Sequence, residues 1–111
     1  MPRESSRAAV PIVVAKALGH PTRVATIRQF LEDPDVLHTP SGIARKLGLL
    51  VPLVSYHVKW LADVGMLELC AETPVRGALA HHYRIAADWI GPVREMLDGF
   101  DDAAASYLPP K

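Results

Sequence analysis

Residues 39–65 have the sequence TPSGIARKLGLLVPLVSYHVKWLADVG, and this stretch decides the fold. It predicts two short helices joined by a tight turn, the first with Thr39 as its N-cap and Pro40 as its first helical residue. Across residues 36–65 the only acidic side chain is that of Asp63. A helix–turn–helix needs this charge pattern because its second helix must lie against a polyanion without electrostatic repulsion. The stretch therefore predicts a helix–turn–helix that binds DNA.

The second helix, predicted over residues 52–64, has an apolar side and a polar side. An apolar stripe at i, i+4 and i+7 from Val54 faces the core, so Ser55, Tyr56 and Lys59 point outward. We expect Ser55 and Lys59 to contact phosphates and Tyr56 to reach base edges or a thymine methyl group in the major groove. An amphipathic helix with a merely solvated polar side is the alternative, and the scarcity of acids favours DNA.

A β-hairpin is expected after the helix–turn–helix. Residues 66–70 and 81–85 alternate in hydropathy and predict two strands. The wing, residues 72–81, contains Arg76 beside Gly77 and is expected to form a loop at the tip of this hairpin. An arginine at such a tip can enter a minor groove or pair with a phosphate.

The two ends of the chain predict a homodimer. From Trp89 to Tyr107, apolar residues recur at spacings of 4, 3, 4, 3 and 4, which is a heptad seam. A stripe this wide exceeds what a small winged domain can cover, and symmetry makes a second copy the default partner. We expect residues 10–18 and 87–107 to be the dimerisation helices, with interface side chains Val10, Val13, Val14, Ala17, Trp89, Ile90, Val93, Met96, Leu97 and Phe100.

Length and charge fit a single domain over residues 1–111. The chain has 111 residues, half of them apolar, which is enough for one compact core. Its formal net charge is zero, which argues against indiscriminate binding of nucleic acid. The first 85 residues nevertheless carry ten Lys/Arg against seven Asp/Glu, and the remainder carries two against five. A basic body with an acidic C-terminal helix suits a protein that touches DNA with one surface and itself with another.

Cysteine content and hydropathy exclude several classes of protein. Cys70 is the only cysteine, so an intramolecular disulfide and a cysteine-rich metal cluster are excluded, and we expect Cys70 to be a small buried hydrophobic residue. No apolar run approaches the roughly 18 residues of a membrane span, and the start lacks the pattern of a signal peptide. These features predict a cytoplasmic protein with no membrane partner.

Four segments carry a family resemblance: ALGHPTRVATIRQFL (residues 17–31), SGIARKLGL (41–49), VSYHVKWLADVGMLEL (54–69) and PVRGALAHHYRI (74–85). Together they resemble the ArsR-type winged-helix repressors of bacteria. The resemblance implies a homodimer that binds operator DNA and usually represses transcription. It also implies that the chain is mainly α with a small β-hairpin, a winged helix-turn-helix of about five helices and a two-stranded wing.

The sequence departs from the metal-sensing members of that family. Such members commonly carry paired cysteines in the helix before the recognition helix, where this chain has Ile-Ala-Arg-Lys at residues 43–46. Others use Asp and His on the C-terminal helix, where Asp88, Glu95 and Asp98 occur without a histidine. The resemblance therefore supports DNA binding more than metal sensing. No cofactor is expected, and a metal or small-molecule inducer stays open as an alternative that the sequence does not support.

Some candidate contacts have a simpler explanation. Thr39 and Ser41 can cap their helix, Lys46 can be a solubilising charge, and a histidine beside an apolar stripe, such as His57, is more often packed than reading bases. The candidate DNA contacts are Thr39, Ser41, Arg45, Lys46, Leu53, Ser55, Tyr56, His57, Lys59 and Arg76.

The leading hypothesis is a sequence-specific DNA-binding regulator, a homodimeric repressor at an inverted-repeat operator. Its expected partners are double-stranded DNA and a second copy of the chain. A winged-helix module that binds proteins without binding DNA is the alternative, which the zero net charge leaves open. An enzyme is not expected, because the sequence shows no nucleophile–base–orienter set and no Gly-rich phosphate loop.

Overall fold

The computed structural model describes residues 12–107, apart from the side chains of residue 100 and of residues 102–107. Within these residues, five helices and one two-stranded antiparallel hairpin confirm the predicted winged helix-turn-helix. The elements in chain order are α1 (residues 12–17), α2 (Pro21–Glu32), α3 (Pro40–Leu47), α4 (Val51–Asp63), β1 (Leu67–Val75), β2 (Ala78–Ile85) and α5 (Ala87–Tyr107).

Local signals set the limits of α3 and α4. The backbone N–H of Gly42 donates to Oγ1 of Thr39 at 3.0 Å, which satisfies a free donor in the first turn of α3. Gly48 ends α3 in the left-handed conformation, with φ +69°, and so allows the sharp turn into α4. Helix α4 lies one residue earlier at each end than the sequence predicted.

The core forms around α4. Val54, Val58 and Leu61 have no exposed surface, as their spacing predicted. They belong to one cluster with Phe30 of α2, Ile43 of α3 and other buried residues of the domain. Since burying each large aliphatic or aromatic side chain contributes about 1.5–3 kcal/mol, this cluster fixes the rotation of α4 about its axis. The side of α4 that faces solvent is thereby decided.

The hairpin is longer than the sequence predicted. β1 and β2 pair from Leu67↔Ile85 out to Val75↔Ala78, so most of the expected tip loop is strand. Only Arg76 and Gly77 form the turn, with φ of +49° and +81°. Two successive positive φ values are the feature of a type I′ turn, whose twist matches that of the strands. The strand residues next to the turn were not predicted as strand. Both faces of the hairpin are largely exposed there, so the sequence shows no alternation of apolar and polar residues.

Cys70 is exposed, so the expectation of a buried cysteine is wrong. The pairing passes from Leu69↔Tyr83 directly to Ala71↔His82, which leaves Cys70 as the extra residue of a β-bulge. Residues 68–70 are all exposed, so this part of β1 has no buried face that could cover the thiol of Cys70.

The end helices are partly covered within one chain. Val14, Ala17, Val93 and Leu97 are buried in the monomer's own core, because α1 and α5 pack these side chains against the domain. This burial corrects the expectation that the four contact a partner. Among the other expected interface residues, Val13, Trp89 and Ile90 are half-buried and Met96 is exposed, whereas Val10 and the side chain of Phe100 lie outside the described residues.

Among the described residues, no helix combines the length and the apolar character that a bilayer span requires.

Replacing Thr39 by alanine should lower the free energy of unfolding by about 1 kcal/mol, because Gly42 N–H loses its partner. Thr39→Ser keeps the hydroxyl and should unfold close to the wild type. Urea denaturation followed by circular dichroism measures both variants. Equal stability of Thr39→Ala and wild type would show that the cap is not stabilising.

Candidate nucleic-acid interface

The side of α4 opposite the core is open to solvent. Tyr56 is 64% exposed, Lys59 and Leu53 are exposed, and Ser55 is half-buried. This is the arrangement that the helical spacing predicted, since these residues lie away from Val54 and its stripe. Asp63, at the last position of α4, is the only acid on the helix.

A groove lies between the start of α3, the polar side of α4 and the hairpin. It is an open concavity of about 490 Å³. Thr39, Ser41 and Ser55, three of the candidate contacts, line it on the helical side. His81 and His82 line it on the hairpin side. None of the described residues that line the groove is acidic, which favours the approach of a phosphate backbone.

The sequence did not single out the two histidines as part of this groove. Nε2 of His82 lies 2.9 Å from Oγ1 of Thr73, and Nε2 of His81 lies 3.7 Å from Oε1 of Glu72. The two histidines line the groove because the hairpin is long. The local sequence pattern did not reveal that length. Both polar contacts join the two strands and hold the hairpin wall of the groove.

Three candidate cations carry no ion pair within the described part of the chain. These are Arg45 at the end of α3, Lys59 on α4 and Arg76 at the tip of the hairpin. Lys46 differs, because its Nζ lies 3.2 Å from Oε2 of Glu32 on α2. Arg84 is also paired, with its Nε donating to Oε2 of Glu68 at 3.4 Å.

Arg76 occupies a strained backbone position. Its φ of +49° lies in the left-handed region, which glycine or asparagine adopts more readily. The strain costs a non-glycine residue on the order of 1 kcal/mol. The chain therefore has a charged side chain at the hairpin tip despite an energetic penalty. This is consistent with a role for Arg76 in contacting a binding partner.

His57 is packed inside the domain and does not face the groove. It is 5% exposed, and Nε of the equally buried Arg23 donates to its Nδ1 at 3.2 Å. The same guanidinium donates through Nη1 to the carbonyl of Lys16 at 3.3 Å and lies 4.1 Å from the centroid of the Trp60 ring. This burial removes His57 from the candidate contacts and bears out the alternative of a packed histidine.

The Arg23 contact requires a neutral His57. Nδ1 accepts a hydrogen bond, so the proton of the neutral ring is placed on Nε2. Burial lowers the pKa of His57, and the charges of Arg23 and His20 lower it further. This cluster, absent from the sequence-based expectations, ties α4 to α2 and to the end of α1.

A second contact fixes the hairpin relative to α3. His38, just before α3, forms backbone hydrogen bonds of 2.8 Å in both directions with Tyr83 of β2. Its ring packs edge-on against Phe30, with centroids 5.1 Å apart, and burial lowers its pKa. The two walls of the groove are thus joined directly through the backbone.

No group of three or more His, Cys, Asp or Glu side chains is arranged to hold a metal ion in the described residues.

The His57 contact predicts a stability that declines in mild acid. The unfolded chain binds a proton on this histidine near pH 6.5, whereas the folded chain binds it only at lower pH. The free energy of unfolding should therefore fall as the pH drops below about 6.5, until folded His57 is protonated as well. Urea denaturation between pH 8 and pH 5 measures this decline.

A glutamine in place of His57 can still accept from Arg23 but cannot be protonated. His57→Gln should therefore show a smaller decline than wild type, while the residual decline reflects His38, whose pKa is also lowered. His81→Gln, on the half-exposed hairpin wall, is the matched control and should decline as wild type does. Equal declines in wild type and His57→Gln would contradict the assignment of the pH-dependent stability to His57.

No family model matches the chain, and no curated protein matches it. Solved structures with the same fold do match. The homodimeric winged helix-turn-helix DNA-binding domain of Mb0332 from Mycobacterium bovis, a possible ArsR-family transcriptional regulator, is 16% identical with a TM-score of 0.63, over 98% of this chain and 94% of that one.

Two further structures show the same likeness. The antimony-specific transcriptional repressor AntR is 20% identical with a TM-score of 0.62, over 86% of this chain and 79% of its own. Reduced HlyU from Vibrio cholerae is 15% identical with a TM-score of 0.63, over 86% of this chain and 94% of its own. At these identities the likeness is one of fold: the chain has the winged helix-turn-helix architecture of these proteins.

Proposed function

We propose that the chain is a sequence-specific DNA-binding transcriptional regulator of the ArsR type that acts in the bacterial cytoplasm as a homodimeric repressor. The observation that carries the proposal is the outward side of α4 together with the hairpin tip. It exposes Tyr56, Lys59 and Arg76, and the groove beside them has no acid among its lining residues in the described part of the chain. The structural neighbours support it, since Mb0332 is a DNA-binding domain and AntR is a transcriptional repressor.

In this proposal α4 enters the major groove of DNA. Ser55 and Lys59 contact phosphates, and Tyr56 reaches the base edges. At the start of α3, Ser41 and the backbone N–H groups of the first turn can donate to a phosphate, which the helix dipole also favours. Arg76 enters the minor groove or pairs with a phosphate beside it. Arg45 adds to the attraction from the end of α3.

The homodimer is proposed to use the parts of α1 and α5 that the monomer leaves uncovered. These include the half-buried Val13, Trp89 and Ile90 and the exposed Met96. The homodimeric state of Mb0332 supports this arrangement. A twofold axis would place the two α4 helices about 34–36 Å apart, one turn of DNA, so the operator should be an inverted repeat.

Binding should depend on salt through the lysine and arginine contacts. The duplex probe is selected from random DNA by the purified protein, and its dissociation constant is measured by fluorescence anisotropy at several salt concentrations. Lys59→Ala and Arg76→Ala should each weaken binding and reduce the salt slope by about one unit per DNA-bound subunit. Arg84→Ala, which removes a cation already paired with Glu68, should leave the slope unchanged.

Two results would contradict the proposal. One is a failure of the wild type to retain any duplex at low salt, which would favour a winged-helix module that binds proteins. The other is an equal loss of slope in all three variants, which would mean that net charge alone, and not this surface, attracts DNA.

The dimer has its own test. Met96→Glu and Met96→Lys place charge on the uncovered side of α5, where desolvation of the charge opposes association. Analytical ultracentrifugation should give twice the chain mass for wild type and the single-chain mass for the variants. Glu95→Gln, exposed beside Met96, is the control and should remain dimeric. A wild type that sediments as a monomer would refute the dimer.

A further inference from the structure

The apolar end of α4, residues 50–53 with the sequence Leu-Val-Pro-Leu, is exposed to solvent. Leu50 is 75% exposed, Val51 is 43% exposed and Leu53 is 39% exposed. The core begins only at Val54, which has no exposed surface. Four successive apolar residues at one solvent-facing helix end lose hydrophobic stabilisation, so they indicate a surface that becomes covered by a partner.

The apolar end is continuous with the proposed DNA surface. Leu53 lies one helical turn before Tyr56, and Val51 lies one turn before Ser55, so their side chains are neighbours on α4. The chain from residue 36 to residue 62 contains no acid. A partner that covers the apolar end together with these side chains therefore meets a surface without negative charge, as DNA requires.

Residues 49–54 carry no side-chain hydrogen-bonding group, because they read Leu-Leu-Val-Pro-Leu-Val. The first turn of α4 thus cannot read a base through side-chain hydrogen bonds. In the major groove the thymine C5-methyl group is the apolar feature that distinguishes one base pair from another. The N-terminal residues of a recognition helix are those that lie against base edges.

We propose that Leu50, Val51 and Leu53 contact thymine methyl groups, so that each operator half-site carries thymine where α4 enters the major groove. This inference rests on the proposed function and adds the base that the helix end selects. Gly48, with φ +69°, ends α3 two residues before Leu50, which is the exposed N-cap of α4. The selectivity for thymine comes from the hydrophobic effect, because the thymine methyl groups and the aliphatic side chains are removed from water together.

The test uses the duplex selected from random DNA and a copy in which deoxyuridine replaces every thymidine. Deoxyuridine pairs as thymidine does and lacks only the C5-methyl group. Wild type should bind the deoxyuridine duplex about fourfold more weakly for each methyl group that it buries. A symmetric site with one such contact in each half should show roughly a 15-fold loss.

The variant Leu50→Ser/Val51→Thr shows whether the apolar end is responsible. Serine at Leu50, the N-cap of α4, favours the helix, and threonine is close to valine in shape, so folding should survive. This variant should show a clearly smaller preference for the thymidine duplex than wild type, and the part that remains comes from Leu53 and the methyl group of threonine. Val36→Thr is the matched control, because Val36 is 44% exposed and lies outside α4, and it should keep the wild-type preference.

Equal binding of the two duplexes by wild type would overturn the inference while leaving DNA binding intact, and it is the result expected if a protein covers the apolar end. An undiminished thymine preference in Leu50→Ser/Val51→Thr would also overturn it. Failure of the wild type to select any duplex from random DNA is a separate result, which removes the proposed function itself.

Discussion

The burial of one side of α4 is the constraint on which the rest of the structure depends. Val54, Val58 and Leu61 lock the helix into the core, and Arg23 holds it from the side by donating to His57. These contacts leave α4 a single rotation about its axis. The polar, nearly acid-free side must then face solvent, and the proposed chemistry of the protein is the consequence of that rotation.

The hairpin turns this exposed side into a groove. The two-way backbone bridge between His38 and Tyr83 joins the hairpin to the segment that leads into α3. The strands then place Arg76 at the exposed tip of the hairpin. Because both walls are tied to the core that fixes α4, the polar groups of the groove are arranged before any DNA arrives, which lowers the entropy cost of binding.

Elements governed by local signals could be predicted from the sequence, and elements governed by distant contacts could not. Caps and helical spacing set α3 and α4 to within a residue or two. The bulge at Cys70 and the length of the hairpin depend on strand pairing, which hydropathy alone does not encode. The heptad spacing placed Val93 on the apolar side of α5. It could not show whether the same chain or a partner chain covers that side. Arg23 went unnoticed because its partners lie on α1 and α4.

The most direct test is nuclear magnetic resonance of the uniformly ¹⁵N-labelled full chain, titrated with a duplex selected from random DNA by the same protein. We expect the largest amide shifts at Thr39 and Ser41, at the non-proline residues of 50–59 and at residues 76–77. Residues 87–98 of α5 should change little. Large shifts confined to α1 and α5, with α4 and the hairpin tip unaffected, would contradict the claim that the orientation of α4 creates the DNA-binding surface.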